Sequence, residues 1–132
     1  MLSDEIKSHI VSPRNQGVMP GAHGVGEVLG PVCGDQLVVY LHFNGGRIKR
    51  ASFTTHGCWA AVAMASWITE IVKGLAPPEA LEVDAEALAR EQAGLPEDKW
   101  PCARLVSLAL HRAVRDWQRR QQVGDPKENG VA

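Results

Sequence analysis

The chain has 132 residues, 45% of them hydrophobic and 22% charged, with a net charge of −1, which is enough for one domain with a real core and too little for two. With no basic run beyond Arg119-Arg120, nothing favours nucleic acid or an anionic membrane, and the longest nearly apolar stretch, residues 59 to 68, is too short to span a bilayer. An odd count of three cysteines and an N-terminus with no basic region ahead of an apolar run argue against a disulfide framework and an export signal, and for a reducing cytoplasmic setting.

Ser3 is placed to cap a short helix that carries Ile6 and Ile10 and is stopped by Pro13. From Gly17 to Gly30 glycines are so frequent that the stretch reads as a mobile connection or a poorly specified strand. Gly24-Val25-Gly26 followed by Gly30 misses the dinucleotide spacing G-x-G-x-x-G, and no strong strand precedes it.

Residues 36 to 43 alternate, with Leu37, Val39, Leu41 and Phe43 on one face and Val38, Tyr40 and His42 on the other, which is a strand. Asn44-Gly45-Gly46 supplies a tight hairpin, and the chain returns through Ile48, Ala51 and Phe53. Ile48 and Phe53 have opposite parity, so a bulge is expected if both face the core. The sheet is therefore antiparallel, and helices must cover one side of it.

After Cys58 comes a helix rich in small residues, Ala60, Ala61, Ala63, Ala65 and Ser66, closed by Lys73-Gly74. Pro77-Pro78 opens a further short helix and Asp84 caps another through Arg90. Pro101 suits the first turn of a long amphipathic helix in which Cys102, Leu105, Val106, Ala109, Ala113 and Trp117 repeat at three- and four-residue steps. Residues 1–120 form the domain, and 121–132, polar with Gly124, Pro126 and Gly130, read as a disordered tail.

The three cysteines stand at separate junctions, Cys33 before a strand and Cys58 and Cys102 before helices, with Asp35 two residues after the first. No Cys-x-x-Cys pair is present, so a shared metal site has to be gathered by tertiary structure. Helix starts favour the thiolate, which is the form that binds soft metal or attacks sulfur. Each cysteine taken alone reads as a small buried hydrophobe, and it is the set that points to ligands. His56 reads as a polar residue at a strand end, an accessory ligand at most. His9, His23, His42 and His111 show no convergent spacing and read as surface residues. The four tryptophans read as packing, with Trp59 and Trp100 flanking the ligand loops.

Ser12-Pro13-Arg14-Asn15, Cys33-Gly34-Asp35, Phe53 followed by Cys58, Trp67 with Glu70-Ile71-Val72-Lys73-Gly74, and Cys102-Ala103 resemble, in order, the scaffold family for iron–sulfur cluster assembly of the IscU and NifU N-terminal type. The resemblance spans residues 2 to 118. It implies an α+β fold, a small antiparallel sheet with helices packed on one face, and cysteines converging at an exposed end. It implies Cys33, Asp35, Cys58 and Cys102 as ligands of a transient [2Fe-2S] cluster or of zinc, Asp35 as the residue that keeps the site labile, and Cys102 as first acceptor of persulfide sulfur. The partners implied are a cysteine desulfurase, an iron donor and apo-protein clients.

The pattern departs from the family in three places. The stretch between Cys58 and Cys102 is too short to hold the insertion of SufU-type zinc-dependent sulfur-transfer proteins, which lowers that reading. Pro101 stands where IscU proteins carry histidine, leaving Asp35, His56 or a partner group to complete four ligands. Leu95-Pro96-Glu97-Asp98-Lys99 half matches the Leu-Pro-Pro-Val-Lys loop, so recognition by the dedicated heat-shock chaperone does not carry over; Lys99 is placed to pair with an anionic cluster or persulfide. Beside the scaffold reading stand a zinc-dependent sulfurtransferase partner of a desulfurase and a zinc-stabilised protein-binding module.

Overall fold

The computed structural model describes residues 1–30 and 35–123, apart from the side chains of Asp35 and Val123. Helix α1 (Asp4–Val11) begins as its sequence requires: the Ser3 hydroxyl accepts from the Ile6 N–H at 3.1 Å, satisfying one of the donors that every helix start leaves unpaired. Strands β1 (Gly24–Gly30), β2 (Asp35–Asn44) and β3 (Arg47–Thr55) follow and form an antiparallel sheet in that order.

The β2–β3 hairpin follows the expected pattern. Leu37, Val39, Leu41 and Phe43 are buried on one face. Gly45 and Gly46 both take positive φ, 64° and 80°, the conformation that matches a two-residue turn to the twist of its strands. The ladder slips between His42 and Phe43, so that Phe43 faces Ile48 while His42 faces Arg50. That bulge brings Ile48, Ala51 and Phe53 to the same buried side despite their mixed parity.

Strand β1 resolves the reading of the glycine-rich stretch in favour of a strand over its second half. Its glycines are packing residues. A β-carbon on Gly24 or Gly26 would collide with the backbone carbonyl oxygens of Ala113 and Ala109 respectively, so their absence of a side chain lets helix α5 (Trp100–Val123) lie directly on the strand. The outer edge of β1 is closed by the same helix: the Asp116 carboxylate accepts from the Val25 N–H at 2.9 Å and Arg112 donates to the Glu27 carbonyl at 2.6 Å.

Helix α2 (Trp59–Ile71) packs on β3 and on α5. Its small residues Ala60, Ala61, Ala63, Ala65 and Ser66 are all buried, which permits close approach of the two helices. Helices α3 (Pro77–Leu81) and α4 (Ala85–Leu88) form as expected, with Asp84 capping α4 by accepting from the Ala87 N–H at 3.0 Å. The helical path does not stop near Arg90 but continues as a π-helical turn, Ala89–Ala93, ended by Gly94 at φ 72°. Helix α5 runs through Val123, so residues 121–123, expected to begin a tail, are helical. Residues 124–132, the rest of that expected tail, lie outside the described residues.

His9 corrects the sequence reading most sharply. It is 1% exposed, with Nδ1 2.6 Å from the Ser66 hydroxyl and 2.8 Å from the Arg14 guanidinium. A guanidinium only donates, so Nδ1 accepts and the ring is neutral with its proton on Nε2, facing Glu5 at 3.4 Å. Burial and the Arg14 charge hold its pKa below the ordinary histidine value. His23 and His42, read as unrelated, stack on each other at 4.3 Å.

The same network accounts for two of the sequence motifs. Asn15, at φ 64°, donates to Thr69 at 3.1 Å and to Glu70 at 2.7 Å, and Lys73 pairs with Glu70 at 3.2 Å. The Ser12-to-Asn15 segment and the C-terminal turns of α2 are thus bonded to each other, a structural role that anchors α2 against the N-terminal segment.

Candidate functional site

Cys58 is delivered by the end of β3. The His56 N–H still pairs with the Gln36 carbonyl at 3.3 Å, and the Gly57 N–H turns back to the Thr55 hydroxyl at 2.9 Å, so the chain leaves the sheet at the end where β2 begins with Asp35. Cys58 then takes extended geometry, φ −72° and ψ 174°, as the N-cap of α2, and its side chain makes no capping hydrogen bond. It is half-buried, and Trp59 beside it is 41% exposed.

Cys102 arrives from the other direction. After Gly94, Leu95 is buried and its carbonyl accepts from the Trp100 indole N–H at 3.0 Å; the Arg90 guanidinium lies 5.6 Å from the centre of the same indole. A single 3₁₀ turn, Glu97–Lys99, leads into α5. The helix starts at Trp100, so Pro101 lies in its first turn as expected and Cys102 follows inside that turn rather than ahead of the helix; Cys102 is 2% exposed.

The fold brings the sulfurs of these two cysteines together. Their sulfurs are 3.5 Å apart across a separation of 44 residues. A second contact runs beside the first: the Lys99 ammonium lies 5.8 Å from the centre of the Trp59 ring. Helices α2 and α5 therefore begin at one place, where the positive ends of both helix dipoles favour negative charge on sulfur or on bound cargo. Pro101 lies between Trp100 and Cys102 in the first turn, where its missing N–H breaks no helical bond.

Cys33 and the side chain of Asp35 lie outside the described residues. At the level of backbone, Asp35 opens β2 opposite Gly30, at the end of the sheet from which the chain proceeds to Cys58. His56 is exposed, and among the described residues no group of three or more histidine, cysteine or acidic side chains converges as a metal site. Lys99 is half-buried. The pairing of Lys99 with Trp59 was not readable in advance, since only the fold sets the start of α2 beside the turn before α5. Among the described residues no helix is long and apolar enough to cross a membrane.

The family profile described as NifU-like N terminal domain matches residues 1–123. The chain is 40% identical over 132 residues to the iron-sulfur cluster assembly scaffold protein IscU 1 of Archaeoglobus fulgidus, covering 99% of this chain and 86% of the relative. It is 35% identical to the scaffold protein IscU of Aquifex aeolicus, covering 90% and 77%, and 33% identical to the nitrogen fixation protein NifU of Azotobacter chroococcum, of which it covers 38%. Among solved structures, the N-terminal part of a nitrogen-fixing NifU-like protein from Brucella abortus superposes with a TM-score of 0.71 at 18% identity, covering 89% of this chain and 94% of that one. A putative iron-sulfur cluster assembly scaffold protein for the SUF system from Fervidobacterium islandicum gives 0.68 at 22% identity, covering 85% and 95%. At these identities the two structures speak to the fold.

Proposed function

Because this chain belongs to the family of NifU-like N-terminal domains, we propose that it is a scaffold for de novo iron–sulfur cluster assembly that accepts sulfur from a cysteine desulfurase and iron from a donor, holds a transient [2Fe-2S] cluster and transfers it to apo-proteins. The observation that carries this reading is the 3.5 Å approach of the Cys58 and Cys102 sulfurs at the starts of two helices. Cysteine sulfurs held at such a distance, once reduced to thiolates, suit a soft metal or a cluster iron.

In this reading Cys102 takes sulfur first. Its thiolate attacks the outer sulfur of the desulfurase persulfide, a new S–S bond forms on Cys102, the donor S–S bond breaks, and the desulfurase cysteine leaves as thiolate. The transferred sulfur then requires a pair of electrons from an external thiol or ferredoxin-type reductant to become sulfide. Cys33, Cys58 and Cys102 ligate the cargo, and Asp35 supplies a harder oxygen ligand that exchanges more readily than thiolate, as a site that must give its cluster away requires. Lys99, next to the thiols through Trp59, offers a cation to the anionic cargo, and His56 stands in reserve as an accessory ligand.

Anaerobic reconstitution with a cysteine desulfurase, cysteine and ferrous iron tests the proposal. A labile chromophore with stoichiometric iron and sulfide is expected, together with persulfide on Cys102 that the Cys102→Ser variant fails to accumulate. Tight stoichiometric zinc with stimulation of the desulfurase and no cluster would replace the scaffold by a zinc-dependent sulfurtransferase.

A further inference from the structure

The outer edge of β3 is closed at two points and open between them. The Phe53 N–H donates to the Asn15 carbonyl at 2.9 Å and the Gly17 N–H donates to the Phe53 carbonyl at 2.7 Å. Ile48 is held in the same way, donating to the Leu75 carbonyl at 2.9 Å and accepting from the Gly74 N–H at 2.8 Å. Ala51 faces Leu41 across the ladder as Phe53 faces Val39. By the two-residue period of a strand its N–H and C=O point away from β2, as those of Phe53 do. Outside the ladder, no backbone hydrogen bond among the described residues closes them.

A cavity of about 280 Å³ lies along this gap, lined by Asn15, Gly17, Arg50, Ala51, Ser52 and Lys73 among others. Its lining is built unevenly. Arg50 is exposed and takes part in no ion pair among the described residues. The Ser52 hydroxyl is buried with no hydrogen-bond partner among them, and polar groups in that condition are uncommon in folded proteins. Lys73 is already directed at Glu70, 3.2 Å away, and at the Asn15 side-chain oxygen, 3.4 Å away. Hydrogen bonds from Asn15 and Lys73 hold the Glu70 carboxyl below the usual range, so a fixed negative charge stays next to the cavity.

One uncompensated guanidinium beside a fixed carboxylate suits a singly charged, planar oxyanion and disfavours a phosphate dianion. We propose that this gap binds a carboxylate, whose oxygens take the Arg50 guanidinium and the Ala51 N–H, with the Ser52 hydroxyl turning about its χ1 bond as a further donor. The carboxylate belongs either to a small free acid or to an acidic residue of an extended peptide that pairs with Ala51 as Gln16 pairs with Phe53. Ala51 lies four residues before the end of β3 at Thr55, about 13 Å of strand, so this site is separate from the thiols and does not depend on their chemistry.

The test is a titration of the ¹⁵N-labelled full chain at constant ionic strength and near neutral pH, followed by ¹H–¹⁵N spectra. The probes are sodium acetate, acetyl-Ala-Glu-Ala-amide and its glutamine counterpart, with sodium chloride as the blank. Saturable shifts of the Ala51 amide and the Arg50 side chain are expected with acetate or the glutamate peptide, weakened about tenfold by Arg50→Gln. Saturation by acetate assigns the site to a free acid, and saturation by the glutamate peptide alone assigns it to an acidic segment of a partner. Absence of saturation with both, equal response to chloride or the glutamine peptide, or indifference to Arg50→Gln would overturn the proposal.

Discussion

His9 of α1 and Ser66 of α2 are joined by a buried 2.6 Å hydrogen bond, and this makes the molecule sensitive to acid. The His9 pKa is held below 6.5 in the folded chain by burial first and the Arg14 charge second. The unfolded chain therefore takes up the proton before the folded one does, and stability falls as pH falls through the ordinary histidine value. Urea unfolding midpoints are expected to decline between about pH 7.5 and about pH 5.5, with a shallower slope in His9→Gln. His42, also held low by desolvation and by its neighbours His23, Arg50 and Lys49, adds a slope of the same sign, so the variant flattens only part of the decline.

Gly26→Ala places a methyl group against the Ala109 carbonyl oxygen and the Ala113 nitrogen, both of them helix backbone that cannot turn aside. A loss of about 1–3 kcal/mol is expected from overpacking of this kind, read as a lower urea midpoint with unchanged slope. An Ala substitution with no effect on stability would show that α5 is not seated on β1 as described.

Asp35→Ala removes the proposed oxygen ligand and leaves the thiols in place. Once reconstituted, the variant is expected to lose its chromophore about tenfold more slowly than the parent, because the readily exchanged ligand is gone. The decay of absorption under air measures it, and equal or faster loss would remove Asp35 from the proposed release step.

Lys99→Met keeps much of the side-chain volume and removes the charge above Trp59. An exposed cation–π contact contributes about 0.5–1 kcal/mol, so unfolding changes little while Trp59 emission shifts. Sulfur loading from the desulfurase is expected to slow, and Lys99→Arg to recover most of it. If the methionine variant loads as fast as the parent, the cation has no part in receiving anionic cargo.

Much of the architecture was legible because it rests on local rules. The Ser3 cap, the Gly45-Gly46 turn and the bulge that reconciles Ile48 with Phe53 each follow from neighbours in sequence. Strand β1 was only half legible, since Gly24 and Gly26 signal a loop by propensity and owe their presence to a helix remote in the sequence, at Ala113 and Ala109. His9 was misread for the same reason: its partner Ser66 is remote, and a lone histidine in a short helix carries no sign of burial. At the site, Cys58 and Cys102 were picked out by residue type and junction, while Cys33 and the Asp35 side chain lie outside the described residues. The meeting of Cys58 with Cys102 and of Trp59 with Lys99 belongs to the packing of α2 against α5, which no local pattern encodes.

Helix α5 starts at one sulfur and continues for 24 residues, a rod of about 36 Å. Its far end, at Val123, lies away from the sulfurs. An affinity handle, fluorophore or surface tether attached there would leave the sulfur-bearing end facing solution, so that desulfurase docking can be followed on immobilised protein without obstructing the approach.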